Sequence, residues 1–166
     1  NMILANDGGA TITFNSGNTW SSQKNQPTGQ FYRAIADNRF PYYLYSAQQD
    51  NSSVAIPSRT MGRGIAWEDW YPVSGGESAF IAFDPDNPEL VYGSSYQGNV
   101  SVYNQNIKTT KDIMAYPTVA LGMLPKDMLY RFNWNSPVVA DPHNPEIIYH
   151  AANKVLRTKD EGFSWE

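Results

Sequence analysis

The chain of 166 residues contains no cysteine, which excludes a disulfide framework, a thiol nucleophile and a thiolate metal site. It has two histidines, His143 and His150, and neither has a partner at metal-ligand spacing. No metal and no cofactor are therefore expected. It also lacks any run of Lys or Arg. Twelve basic against sixteen acidic residues leave a net charge of −4, which argues against a nucleic-acid or anionic-membrane partner. No apolar run approaches membrane-spanning length, so membrane insertion is not expected, and no signal peptide is visible. There is no Gly-Xaa-Ser-Xaa-Gly elbow and no phosphate loop. Helical periodicity is missing too; only Thr118 to Arg131 has room for a short helix.

What is present is repetition. Thr13-Phe14-Asn15-Ser16-Gly17-Asn18-Thr19-Trp20 and Thr158-Lys159-Asp160-Glu161-Gly162-Phe163-Ser164-Trp165 share one pattern: hydroxyl, any, Asp or Asn, any, Gly, any, hydroxyl, Trp. This reads as a hairpin turn in which Asn15 or Asp160 accepts from the turn's own N–H groups. Gly17 or Gly162 supplies the positive φ, and Trp20 or Trp165 leaves on a strand. Asn15 keeps an acceptor but loses the charge of Asp160, so the first copy is the weaker lock. The pattern resembles the Asp-box, or BNR, signature of sialidase-like and sortilin-like β-propellers.

A second motif sets the period. Ile81-Ala82-Phe83-Asp84-Pro85-Asp86-Asn87-Pro88-Glu89-Leu90-Val91-Tyr92 matches Val138-Val139-Ala140-Asp141-Pro142-His143-Asn144-Pro145-Glu146-Ile147-Ile148-Tyr149, and Ala34 to Asp37 followed by Pro41 to Tyr45 fits the same frame. Each copy reads as a short apolar strand, a Pro/Asn/Asp turn and a second strand. Sequence alone thus predicts an all-β chain: a β-propeller segment of about three four-stranded blades, an incomplete ring because natural propellers use at least about four. The divisions are residues 1–29, the end of a blade with its box; 30–76, a blade; 77–134, a blade; and 135–166, the start of a blade with its box. Expected strands are Tyr32–Ala36, Tyr42–Ala47, Ser53–Pro57 and Ala66–Val73; then Ala79–Phe83, Leu90–Ser94, Asn99–Tyr103 and Lys111–Tyr116; then Pro137–Ala140, Ile147–Ala151 and Lys154–Thr158. The chain starts and stops at nearly the same point of its repeat, as a piece of a longer array would. Its missing blades are expected from a longer chain or from companion chains.

Strand alternation sorts the loops onto two faces. The Asp-Pro turns and the box turns fall on one face, called lower. The upper face collects Asn6-Asp7-Gly8-Gly9, Gln48-Gln49-Asp50-Asn51, Gln97-Gly98-Asn99 and Asn153-Lys154, together with Ser74-Gly75-Gly76-Glu77 and the loop Arg131-Phe132-Asn133-Trp134-Asn135-Ser136. Binding by loops on a rigid scaffold is expected there. Glu77, Asp50 and Glu68 are the candidate catalytic carboxylates, because glycoside hydrolysis needs two carboxyl groups across one bond. Glu68 and Asp69 alternate with Trp67 and Trp70, which also fits an outer strand with its aromatics inward and its charges in water. The candidate ligand-binding residues are Gln49, Asn51, Arg59, Trp70, Tyr71, Arg131, Asn133, Trp134 and Asn135.

Across nearly the whole chain, the order Gln48 to Ser52, Pro57-Ser58-Arg59, Glu68 to Tyr71, Gly75-Gly76-Glu77, Asp84-Pro85 and Tyr130 to Pro137 resembles the large exported bacterial proteins with sortilin-like BNR repeats. These are often labelled glycosyl hydrolases and are distantly similar to xyloglucanases. The resemblance implies propellers of about seven blades, an extracellular, periplasmic or cell-surface location, and a glycan or protein ligand. The Phe-Arg-Ile-Pro motif of sialidases is not present. The reading is a recognition module, with a glycoside hydrolase or a structural docking module as alternatives.

Overall fold

The computed structural model describes residues 1–6, 8–23, 29–118 and 120–166. Among them the chain is all-β, with four small antiparallel sheets and only three-residue 3-10 turns as helical structure. β1 (Met2–Asn6) pairs with β2 (Gly9–Thr13). β3 (Phe31–Ala36), β4 (Tyr43–Gln48) and β5 (Ser53–Pro57) form a meander. β6 (Ile81–Ala82), β7 (Leu90–Ser94), β8 (Val100–Asn104) and β9 (Thr109–Asp112) form the largest sheet. β10 (Val138–Ala140), β11 (Ile148–Ala151) and β12 (Val155–Thr158) form the last. No helix among the described residues is long and apolar enough to cross a membrane.

One expected strand is not formed. The strand expected over Ala66–Val73 is absent: Trp67–Asp69 is a 3-10 turn, closed by the Asp69 carboxylate accepting from the Ala66 N–H at 2.6 Å, and only Tyr71 bridges Ala55. The alternation of Trp67 and Trp70 with charges is therefore not a strand alternation, and Trp67 stands exposed, edge-on to Trp70. The stretch from Thr118 to Arg131, the one with room for a short helix, holds the 3-10 turn Pro125–Asp127, preceded by Gly122 at a φ of +80°. Val119 lies outside the described residues.

The core lies between sheets. β7 is covered on both sides, so its alternating side chains serve two interfaces. Val91 joins Tyr45, Ala55, Val73 and Phe83 on one side. Tyr92 joins Val100, Val102, Ile113, Val138 and Ile148 on the other. Val91 and Ile148 are wholly buried, and each contributes about 1.5–3 kcal/mol of transfer free energy. The first strands of three successive sheets line one concave cavity of about 280 Å³, with Arg33 and Ile35 from β3, Ile81 from β6 and Val138–Ala140 from β10. β1–β2 is different: Met2, Ile3 and Leu4 remain exposed.

The two eight-residue motifs fold into the same turn. Thr13 Oγ1 donates to Asn15 Oδ1 at 2.9 Å and accepts from Gly17 N at 3.0 Å; Thr158 Oγ1 does the same with Asp160 and Gly162 at 2.8 and 2.9 Å. Asn15 Oδ1 and Asp160 Oδ1 each accept from the N–H four residues on, at 2.9 Å. They differ at the second atom, where Asn15 Nδ2 donates to Thr19 but Asp160 Oδ2 accepts from Ser164 at 2.6 Å. The tryptophans also differ. Trp165 Nε1 donates to the Ile113 carbonyl of the neighbouring sheet at 2.8 Å, whereas Trp20 Nε1 donates to its own turn at Gly17 and stays 43% exposed.

His150 ties the last sheet to the one before it. It is fully buried and stacked on Phe132, and its ring nitrogens face the carbonyls of Pro137 and Gly98 at 3.0 and 3.3 Å. Burial pushes its pKa down, so the unfolded chain takes up a proton first as pH falls below about 6.5. Stability is therefore complete above that pH and declines below it. Asp160, held at about 2 by the Ser164 hydroxyl and N–H and by Thr158, adds stability that is present above about pH 4 and lost as pH approaches 2. Chemical denaturation at a series of pH values is expected to show two separate declines, and His150→Gln is expected to remove the upper one only.

Candidate functional site

At one end of the β4–β5 hairpin, the loop after Gln48 meets the connection from Gly75 to Ala79. Asp50 takes the left-handed conformation there (φ +56°). Gln49 Nε2 donates to Glu77 Oε2 at 2.6 Å and to Asp50 Oδ1 at 2.8 Å, and the Asp50 N–H reaches Glu77 Oε2 at 3.2 Å. One amide nitrogen thus bridges two carboxylates. Among the described residues the partners of the Glu77 carboxylate are on the facing loop, not in the Gly75-Gly76 turn beside it. The nearest carboxylate oxygens stand no farther apart than those two bonds laid end to end.

The bonding continues into aromatic residues. Gln49 Oε1 accepts from the Tyr32 hydroxyl, which itself accepts from Trp134 Nε1 at 3.0 Å. Trp134 stacks on Tyr96 with ring centres 5.5 Å apart and planes at 11°. Its backbone is held by the Ser78 hydroxyl, which donates to the Trp134 carbonyl at 2.7 Å, and Asn135 Nδ2 donates back to the Ser78 carbonyl at 3.4 Å. Ser78 is completely buried while Trp134 remains 48% exposed. A rigid, buried anchor therefore carries a half-exposed indole. One hydrogen-bonded path runs from Trp134 through Tyr32 and Gln49 to Glu77, with Asp50 at its end.

Of the residues expected at a site, Gln49, Asp50, Glu77, Trp134 and Asn135 come together here. Arg131 and Asn133 share the loop but only brace it: the Arg131 N–H donates to Asn153 Oδ1 at 2.8 Å, and the Asn133 carbonyl accepts from Ser136 at 2.8 Å. Asn51 caps its own turn. Four expected residues lie elsewhere. Arg59 follows β5 at the opposite end of the hairpin, over the Phe40 ring. Glu68 is exposed on the 3-10 turn. Trp70 borders an apolar surface with Leu44, Val54 and Ile56. Tyr71 is packed between sheets against Tyr43 and donates to Gln105 Oε1 at 2.5 Å. Asp7, from the first expected upper loop, lies outside the described residues.

Sequence reasoning missed Tyr32, Ser78 and Tyr96. Tyr96 immediately precedes the expected loop at Gln97, so a one-residue wider window would have included it. Tyr32 had no signal: it lies where the β3–β4 register is irregular, between Phe31 and Ala34, and its hydroxyl reaches Gln49. Among the described residues no group of three His, Asp or Glu side chains is placed to hold a metal. Comparison with family models, with curated proteins and with solved structures finds no match.

Proposed function

We propose that this chain is a three-blade piece of an Asp-box β-propeller and that it recognises a glycan through the face carrying Gln49, Asp50, Glu77 and Trp134. The observation that carries the reading is the continuous bonded path from a half-exposed indole to a pair of carboxylates. Sugars present apolar faces to aromatic rings and hydroxyls to amide and carboxylate acceptors, and both kinds of group adjoin here. The radial arrangement is supported by the shared cavity between β3, β6 and β10 and by three meanders that pack in chain order. Further blades would cover the exposed apolar residues of β1–β2 and of the Leu44–Ile56 surface. An exported bacterial protein is part of the same reading, on composition and resemblance.

A second reading has one observation in its favour. The short separation of the Glu77 and Asp50 carboxylates suits the spacing of about 5–5.5 Å used by retaining glycosidases. Against it, the Gln49 amide occupies the space between them, where a glycosidic oxygen would sit. Binding therefore has the stronger support. Probing a glycan array with the full chain tests both. Saturable binding is expected without release of reducing sugar, and Trp134→Ala is expected to weaken it about tenfold or more, the worth of one aromatic stacking contact of about 1.4 kcal/mol. Sugar release that disappears in Glu77→Gln would establish the hydrolase instead.

A further inference from the structure

The three meanders share one register, and it gives every sheet two distinct faces. Ile35, Tyr45 and Ala55 form one cross-strand row in the first meander, and Ala82, Tyr92 and Val102 form the same row in the middle one. The sheet that follows covers each row. Tyr45 and Ala55 join one cluster with Phe83 and Val91, and Tyr92 and Val102 join another with Val138 and Ile148. Val91 and Ile148, which do the covering, each stand one position before the row tyrosine of their own sheet, and both are wholly buried.

The two ends of this series lack that cover. Leu44 occupies the position of Val91 and Ile148 but is 37% exposed, and with Val54, Ile56 and Trp70 it lines an open cavity of about 390 Å³. No residue of β1–β2 lines that cavity. In the last meander the row is Val139, Tyr149 and Arg157, and here Val139 is 51% exposed and Val155, on the same face, 66%. The other face of that sheet carries Ile148, His150, Leu156 and Thr158, all buried, so alternation leaves one side covered and one side bare. Arg157 departs from the alanine and valine at its position, but its guanidinium is already paired with Glu166 at 2.6 Å, which leaves its methylenes to meet an apolar neighbour.

We infer that the two bare faces cover one another between copies: the face carrying Val139, Tyr149 and Val155 in one chain packs on the face carrying Leu44, Val54 and Ile56 in a second copy, as unlike faces already pack twice within the chain. The inference rests on the radial reading above and names the source of the further blades. A contact that joins unlike faces closes into a ring where the rotation allows it. Two copies bring together twice the three meanders of one chain, within the range of about four to eight blades of closed propellers. Pairing of like faces would instead leave the other end of each chain bare.

Sedimentation equilibrium of the full chain tests the inference. The parent is expected to associate reversibly to a dimer. Leu44→Glu and Val155→Glu, one on each face, are each expected to weaken that dimer at least about tenfold, because each places an unpaired carboxylate in both junctions. Mixed in equal amounts, the two variants are expected to regain association, since one junction of the mixed pair is wholly native. Melting of dilute samples, where the parent is monomeric too, separates a lost contact from a lost fold, and Val54→Glu replaces Leu44→Glu if the latter melts lower. A parent that stays monomeric at its highest soluble concentration would overturn the inference and leave the bare faces to blades on a longer polypeptide; glycan binding by that monomer would leave the recognition reading standing. A dimer abolished by Leu44→Glu but indifferent to Val155→Glu, or mixed variants no more associated than either alone, would overturn it as well.

Discussion

Asp37→Ala is expected to lower stability by about 2–4 kcal/mol, the range for removing one member of a buried charged network. The Asp37 carboxylate is buried and accepts from Arg39 Nε at 2.5 Å, the Tyr45 hydroxyl at 3.0 Å, the Tyr43 N–H at 2.8 Å and the Arg39 N–H at 3.3 Å. Alanine leaves the wholly buried Tyr45 and a backbone N–H without their acceptor. Burial works against the charge of Arg39, but its bonds to Asp37 and Tyr71 and its electrostatic attraction to Tyr45 and Asp37 together outweigh that and hold its pKa up; burial likewise pushes Tyr45 up. Arg39 is partly exposed and recovers water, which keeps the loss at the lower end for an ion pair. Asp141→Ala is the control, because Asp141 makes the same kind of turn bonds at the surface. Urea denaturation of both variants measures the difference, and equal effects would contradict the account of Asp37 as a core group.

Gly93→Ala is expected to cost about 3 kcal/mol, the upper range for overpacking against rigid backbone. A Cβ at residue 93 would stand 2.3 Å from the Ser74 carbonyl oxygen and 2.5 Å from the Gly75 nitrogen. Neither atom can rotate aside as a side chain can. The connection it would displace also carries Ser74, whose hydroxyl lies 2.6 Å from that of Ser101, and it leads two residues later to Glu77. The variant is therefore expected to melt lower and to bind glycan more weakly as well. Unchanged melting would show that the backbone approach is looser than described.

Gly93 also shows what the sequence can and cannot reveal. The repeat aligns it with His150, and no pattern of residue types explains why one position has no side chain and the other a large ring. The reason is tertiary: the Ser74–Gly75 backbone fills the space beside Gly93, while Phe132 and two carbonyls receive the ring of His150. Local signals did better where geometry is local. Ser53–Pro57 and Leu90–Ser94 are strands with the expected bounds, and the turn bonds of Thr13–Trp20 and Thr158–Trp165 follow from residue type alone. Ala66–Val73 failed because Asp69 closes a turn on Ala66, a side-chain bond that competes with strand pairing. For the candidate site, Gln49, Asp50 and Glu77 were legible because alternation of strands puts their loops at one end. Arg59 and Tyr71 were misplaced because nearness in sequence to those loops does not survive the length of a strand.

If recognition resides on the Trp134 face and the box turns serve only to hold the fold, the two functions must separate on mutation. The deciding measurement is glycan affinity alongside melting temperature for Trp134→Ala and Asp160→Ala. Trp134→Ala is expected to lose affinity with its melting temperature nearly intact. Asp160→Ala is expected to melt lower, because the Ser164 and Thr158 bonds are gone, while binding as the parent does below its melting point. Loss of affinity in Asp160→Ala with unchanged melting, or full affinity in Trp134→Ala, would contradict the account.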